Sequence, residues 1–273
     1  VLEKLETAYA GRFTLAKLNS DEQPEIANQL SQAFGVRSIP FCVMFVGGQP
    51  IDGFVGALPE SQIRAFLDKH VPSPNELAAE EEAEEAEQLA AGGDTDAALV
   101  KLAEALAIAP HDDAIRADYM KRLLEAGRLA DARRVWEPLA PKAIGEPRAG
   151  ALGLWLEACE SARGGRPMSA LEAAIAANKR DFDARFERAQ ALMAGQRFAD
   201  AMDELLEILM RDKAWADQRA RKLYVAILEL MTRPQPKAAT ESQGALELTG
   251  KVAAPAGDPV VDAYRRKLSM VLF

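Results

Sequence analysis

The strongest constraint on this chain is a repeated glycine-to-alanine spacing. Gly93 is followed by Ala98, Gly127 by Ala132 and Gly165 by Ala170, each five residues on, and Gly195 by Ala201 at one residue more. The alanines stand 34, 38 and 31 residues apart, a period close to that of stacked helical hairpins. Leu102, Trp136 and Leu205 follow three of these alanines by four residues, a spacing that puts both members on one helix face. A small anchor lets the two helices of a hairpin approach, and the large residue fills the groove towards the next hairpin. One such hairpin cannot bury its apolar face alone, so the units must stack. Pro110 closes the first unit twelve residues after Ala98. The predicted helix pairs are 75–91 with 94–109 and 112–126 with 129–139, then pairs covering 148–178 and 181–211, and a long helix over 215–231. Residues 232–257 are rich in Pro, Ala, Gly and Thr and read as a linker. Asp258 and Pro259 then open a terminal helix over 258–273, in which Val260, Tyr264, Leu268 and Leu272 recur every four residues.

Upstream of Ser73 to Asn75 the pattern is different, and a domain boundary is expected there. Leu2, Leu5 and Tyr9 recur at helical spacing up to Gly11, and Phe13 to Leu18 alternates as a short strand. Pro24 and Gly35 bracket a second helix. Phe41 to Val46, Gly47-Gly48 and Ile51 to Val55 read as a β-hairpin, and Pro59 to Lys69 as a closing helix with Ile63, Phe66 and Leu67 on one face. The order is α, β, α, β, β, α. Because the chain opens with Val1 inside an amphipathic pattern, the natural N-terminus is expected to lie further upstream.

Charge and cysteine content narrow the function. With 33 basic and 42 acidic residues the formal charge is −9, and no Lys/Arg cluster is dense enough to displace counterions from a phosphate backbone. Nucleic acid is not an expected partner, nor is a membrane, since no apolar run reaches the roughly 20 residues that span a bilayer. Two cysteines and two histidines, Cys42, Cys159, His70 and His111, are too few for a disulfide framework and too far apart for a local zinc motif. No cofactor is expected, and a cytoplasmic location fits. Cys42 and Cys159 read as packing residues and the two histidines as a helix end and a turn. The glutamates of 76–87 read as a solvated face whose early members suit the helix dipole, or as a docking face for a basic partner.

The stretch from Phe13 to Val71, "FTLAKLNSDEQPEIANQLSQAFGVRSIPFCVMFVGGQPIDGFVGALPESQIRAFLDKHV", resembles the second half of a thioredoxin. Its most specific piece is Val36-Arg37-Ser38-Ile39-Pro40. The resemblance implies a cis proline at Pro40, and backbone groups of its predecessor that pair with an extended substrate. Only about 5–6% of X–Pro bonds in folded proteins are cis, and an exposed edge can capture a peptide by strand addition. Ile39, Pro40 and Phe41 are therefore the implied client-binding residues, with Phe41 where a threonine is common.

A thioredoxin-like domain (1–72, N-terminally incomplete) followed by an all-α solenoid of tetratricopeptide-like repeats (75–231) and ending in "YRRKLSMVLF" resembles the chaperedoxins of the YbbN/CnoX family. That resemblance implies a protein that holds unfolding clients under oxidative stress and passes them to the GroEL chaperonin through its C-terminal helix. Tyr264, Arg265, Arg266, Lys267, Leu268, Val271, Leu272 and Phe273 are then the partner-binding residues. The same helix also reads as a cap on the last repeat. In the thioredoxin pattern a Cys-x-x-Cys motif would stand shortly upstream of Val1, so no catalytic residue is expected within the chain. If that motif is present, the alternative function is a protein-disulfide oxidoreductase whose repeats select substrates. Asn19-Ser20-Asp21 occupies the place where some relatives carry a further cysteine, so covalent capture there is not expected.

Overall fold

The computed structural model describes residues 1–36, 38–232 and 258–272, so Arg37, Phe273 and all but the first residue of the expected linker lie outside the described residues. Two units emerge, residues 1–77 and residues 78–232 with 258–272.

In the first unit, helix α1 (Leu2–Ala8) packs against a hairpin and its closing helix. Helix α2 (Pro24–Phe34) has Pro24 in its first turn and ends at Gly35 in a left-handed conformation, φ 65°, as the flanking residues require. Strands β1 (Phe41–Val46) and β2 (Gln49–Val55) pair antiparallel, Val46 opposite Gln49 and Phe41 opposite Val55. The turn needs φ 58° at Gly47 and 78° at Gly48, a pair of values that two consecutive glycines adopt without steric cost. Helix α3 (Glu60–His70) closes the unit. Its core consists of Leu5, Tyr9, Ile63, Leu67 and Val71, with Phe13, Met44, Phe54 and Phe66 partly buried around them. On the other side of the hairpin, Phe34 of α2 lies 5.7 Å from Phe41 and 6.4 Å from Phe45, centroid to centroid.

The expected strand over 13–18 is not one. The residues carry no strand assignment, because a strand exists only through ladder bonds to a neighbour and none of the described strands lies beside this stretch. The Leu15 amide instead donates to Glu6 Oε1 at 2.7 Å.

The second unit is a stack of helical hairpins. Its elements are α4 (Pro74–Ala91), which begins in the first unit, α5 (Thr95–Ile108), α6 (Asp113–Glu125), α7 (Leu129–Trp136), α8 (Pro147–Gly164), α9 (Met168–Ala177), α10 (Phe182–Ala194), α11 (Phe198–Leu209), α12 (Trp215–Met231) and α13 (Pro259–Leu272). A 3-10 turn, Ala140–Lys142, follows α7. Ser73 and Glu76 cap α4 reciprocally, Glu76 N–H to Ser73 Oγ and Ser73 N–H to Glu76 Oε2. Asp94, Asp112 and Asp181 accept backbone N–H groups at the starts of α5, α6 and α10, satisfying donors that a helix start otherwise leaves open. Helix α8 packs against α6, α7, α10 and α12, which is why Leu152, Trp155, Leu156, Ala158 and Cys159 are buried on several of its faces.

Ala98, Ala132 and Ala201 are fully buried, as their anchor role requires, but Ala170 is exposed and Leu171 takes the inward place. Helix α9 is therefore rotated by one residue relative to the expectation, and its inward position falls six residues after Gly165, as Ala201 does after Gly195. Helix α12 also departs from the expectation: Ala216, Asp217 and Gln218 have φ of 45°, 54° and 62°, so the right-handed helix begins after them. Trp215 just before this turn is held by Phe186 and Phe182, at 5.3 and 6.4 Å.

Candidate functional site

The first candidate surface is the mouth of the hairpin. The Ile39–Pro40 bond is cis, and the Pro40 carbonyl accepts the Gly56 N–H at 2.8 Å, continuing the hairpin by one rung. Ile39 is 81% exposed and Pro40 is exposed, while Phe41 is half-buried against Phe34. Covering an apolar side chain held in water beside a strand would recover about 25 cal/mol for each Å² removed from water. Cys42, next along β1, is half-buried with its thiol pushed up by burial, so it stays protonated at neutral pH. Cys159 is buried in α8 with its thiol pushed up to about 11 by burial. Cys159 is part of the solenoid core.

A polar cluster that sequence reasoning missed braces this hairpin. Asp52 on β2 bonds His70 Nε2 at 2.7 Å and Lys69 Nζ at 2.9 Å, and its other oxygen accepts the Gly53 N–H. Burial pushes the Asp52 carboxyl up, but the bonds from Lys69, His70 and Gly53 outweigh it and hold the group below the ordinary carboxylate range. His70 stacks edge-on against Phe66. Asp52 and His70 are 18 residues apart, and nothing in the local pattern of either residue points to the other. His111 sits exposed in the turn before α6.

The second candidate surface is α13. Val261 and Tyr264 are buried in the solenoid core, and Leu268 and Val271 pack against it. Val261 is 2% exposed and Val260 46%, so the inward stripe is Val261, Tyr264, Leu268 and Val271. The expected stripe of Val260, Tyr264, Leu268 and Leu272 is corrected at both ends, to Val261 and Val271, because an α-helix follows a 3.6-residue period and not a strict four. Tyr264 is bonded in both directions: its carbonyl accepts Tyr224 Oη–H of α12 at 2.8 Å, and its own hydroxyl meets Asp203 Oδ2 at 3.2 Å and the Ala199 carbonyl at 3.3 Å on α11. Lys267 bonds Asp203 at 3.1 Å and lies 4.1 Å from the Tyr264 ring centre. Arg265 and Arg266 are exposed, Arg265 reaching Thr232 Oγ1 at 3.1 Å. Leu272 is half-buried, and its carbonyl accepts Lys213 Nζ at 3.1 Å. An open cleft of about 420 Å³ runs between α11 and α13, floored by Leu206 and Val271 and flanked by Met210 and Met270.

The acidic helix is partly neutralised from within. Lys101 on α5 reaches Glu82, Glu85 and Glu104 at 2.8, 2.9 and 3.5 Å, and hydrogen bonds to Glu82 and Glu85 push its ammonium up. Deeper in the solenoid, Arg185 of α10 is paired with Glu204 of α11 at 2.8 Å, and Arg188 bonds the other oxygen of the same carboxylate. No group of three or more His, Cys, Asp or Glu side chains among the described residues is arranged to hold a metal ion. No described helix is long and apolar enough to cross a membrane.

The glycine-turned hairpin with its cis proline, followed by stacked helical hairpins, defines a thioredoxin domain joined to tetratricopeptide repeats. Comparison with known proteins agrees with that division. A thioredoxin family model matches residues 1–69, and two tetratricopeptide repeat models match 89–153 and 161–243. The chain is 44% identical over 71 residues to a thioredoxin of Chlorobaculum thiosulfatiphilum, a match covering 26% of this chain and 62% of that protein. It is 43% identical over 67 residues to a thioredoxin of Alicyclobacillus acidocaldarius, covering 24% and 60%. With thioredoxin M-type of Zea mays it shares 36% over 73 residues, covering 27% and 41%. The chain thus spans less than two thirds of the length of the thioredoxins it matches.

Proposed function

We propose that the protein is a binding protein that holds unfolding polypeptides under oxidative stress and delivers them to the GroEL chaperonin. Exposed Ile39 carries this reading. A thioredoxin-type hairpin presents a large apolar residue to water at its mouth, and the neighbouring thiol is kept protonated by burial. The repeats support it by supplying an extended surface for protein partners, and α13 supplies an amphipathic helix of the kind that enters a partner's groove. The test is light scattering of a heat- or oxidant-unfolded client with equimolar protein and no ATP. Aggregation should fall, and an unchanged trace defeats the holdase reading. For delivery, the full chain should bind immobilised chaperonin, and excess synthetic peptide of residues 258–273 should displace it; failure of both defeats that arm.

A second reading is favoured by the thioredoxin likeness itself. On this reading a Cys-x-x-Cys pair in a longer form of the protein exchanges disulfides, and the repeats choose the substrates. Such a pair needs a thiolate to attack and a second thiol to resolve the mixed disulfide. Reduction of insulin disulfides by the longer form, abolished by replacing either cysteine of that pair, would support it.

A further inference from the structure

Helix α13 turns its main apolar stripe inward. Val261, Tyr264, Leu268 and Val271 face the solenoid, whereas the outward surface offers Arg265, Arg266, Ser269 and, as large exposed apolar groups among the described residues, Val260 and Met270. Entry into a partner's groove needs anchors spaced at i, i+3 or i+4, and i+7, and on this helix that series is the one already covered. The polar contacts converge on a single carboxylate. Asp203 of α11 takes both the Tyr264 hydroxyl and the Lys267 ammonium, while Tyr224 of α12 bonds the Tyr264 carbonyl.

We propose that α13 is an autoinhibitory latch: its docking on α11 and α12 occupies the same face that an external partner takes, so partner binding requires release of the helix from its own solenoid. This rests on the chaperonin-delivery reading above. Between Thr232 and Asp258 the chain has 25 residues, whose maximum reach of roughly 80–90 Å leaves the covalent connection no obstacle to release of the helix. Because helix and solenoid belong to one chain, the solenoid competes with any partner intramolecularly. The apparent affinity for the partner is then the intrinsic affinity reduced by the fraction of molecules in which α13 is free. Release also bares the part of α11 and α12 that Val261 and Tyr264 cover.

Two substitutions weaken the latch without altering the tail: Asp203→Ala on α11, and the near-isosteric Tyr224→Phe on α12. Each removes contacts that in proteins typically shift such an equilibrium about 3- to 10-fold. Hydrogen exchange on the full chain alone should show faster exchange for amides of 259–272 with the other helices unchanged. Binding to immobilised GroEL chaperonin should tighten by a similar 3- to 10-fold, and the synthetic peptide 258–273 should bind more tightly than the full chain. Faster exchange with unchanged or weaker chaperonin binding in both variants overturns the latch. So does unchanged exchange in both. If wild type, variants and peptide all fail to bind chaperonin, the delivery reading itself falls, and the latch falls with it.

Discussion

Gly153 lies in the middle of α8, where a glycine costs about 1 kcal/mol relative to alanine. On helix propensity alone, Gly153→Ala should stabilise the solenoid. Packing argues the opposite sign. A Cβ at this position would stand 2.6 Å from Cζ2 and 2.7 Å from Cη2 of Trp136, where carbon atoms prefer about 3.5–4.0 Å. The indole of α7 would have to retreat by about 1 Å, and overpacking of this kind typically costs about 1–3 kcal/mol. Taking the middle of that range, the net effect of Gly153→Ala is a loss of about 1 kcal/mol, or a drop of roughly 2–4 °C in Tm for a unit of this size. The sign should reverse when the indole is removed. In a Trp136→Ala background the same substitution meets no ring and should raise stability by about 1 kcal/mol. The implied coupling of about 2 kcal/mol lies well outside the few tenths expected of independent sites. Thermal and urea unfolding of the four proteins in this cycle, followed by helical circular dichroism, gives the answer. Stabilisation by alanine in both backgrounds would refute the close-packing account and with it the placement of α7 on α8.

Ile39→Asp should reduce client protection with little change in Tm, because the side chain lies almost wholly in water; undiminished protection removes Ile39 from the client surface. Asp52→Asn should destabilise the thioredoxin unit at neutral pH. Since the native Asp52 pKa is lowered, its contribution is complete above the ordinary carboxylate value and is lost as pH falls through the lowered one. The gap between wild type and Asp52→Asn, measured by urea unfolding, should therefore close below about pH 4. Glu204→Ala strips the buried Arg185 of its closest carboxylate and should cost about 3 kcal/mol in solenoid stability, whereas exposed pairs such as Arg197 with Asp200 should cost under about 1 kcal/mol. If a Cys-x-x-Cys pair gives the protein disulfide reductase activity, Cys42→Ala should leave that activity intact; its loss with the fold preserved would give Cys42 a redox role.

The turns, caps and repeat period were legible because each depends on a residue's own backbone preference or on neighbours within one helical turn. Gly47-Gly48 can take two positive φ values cheaply, Pro24 suits a first helical turn, Asp94 and Asp112 can reach the amides just ahead of them, and Ala98, Ala132 and Ala201 are small wherever they stand. What lies across from an element is a different kind of information. Whether 13–18 is a strand depends on a neighbour to bond with, and whether Ala170 or Leu171 turns inward depends on how α9 is rotated against α10. Tyr264 meets Tyr224 and Asp203 on helices distant in sequence, contacts that no local pattern announces. Asp52 met His70 only because the hairpin register and the end of α3 bring them together. The sequence by itself determined, to within about a turn, where most helices run and how often they repeat; tertiary packing decided which face each one buries, because a side chain's burial is set by the surface opposite it and not by its own propensity.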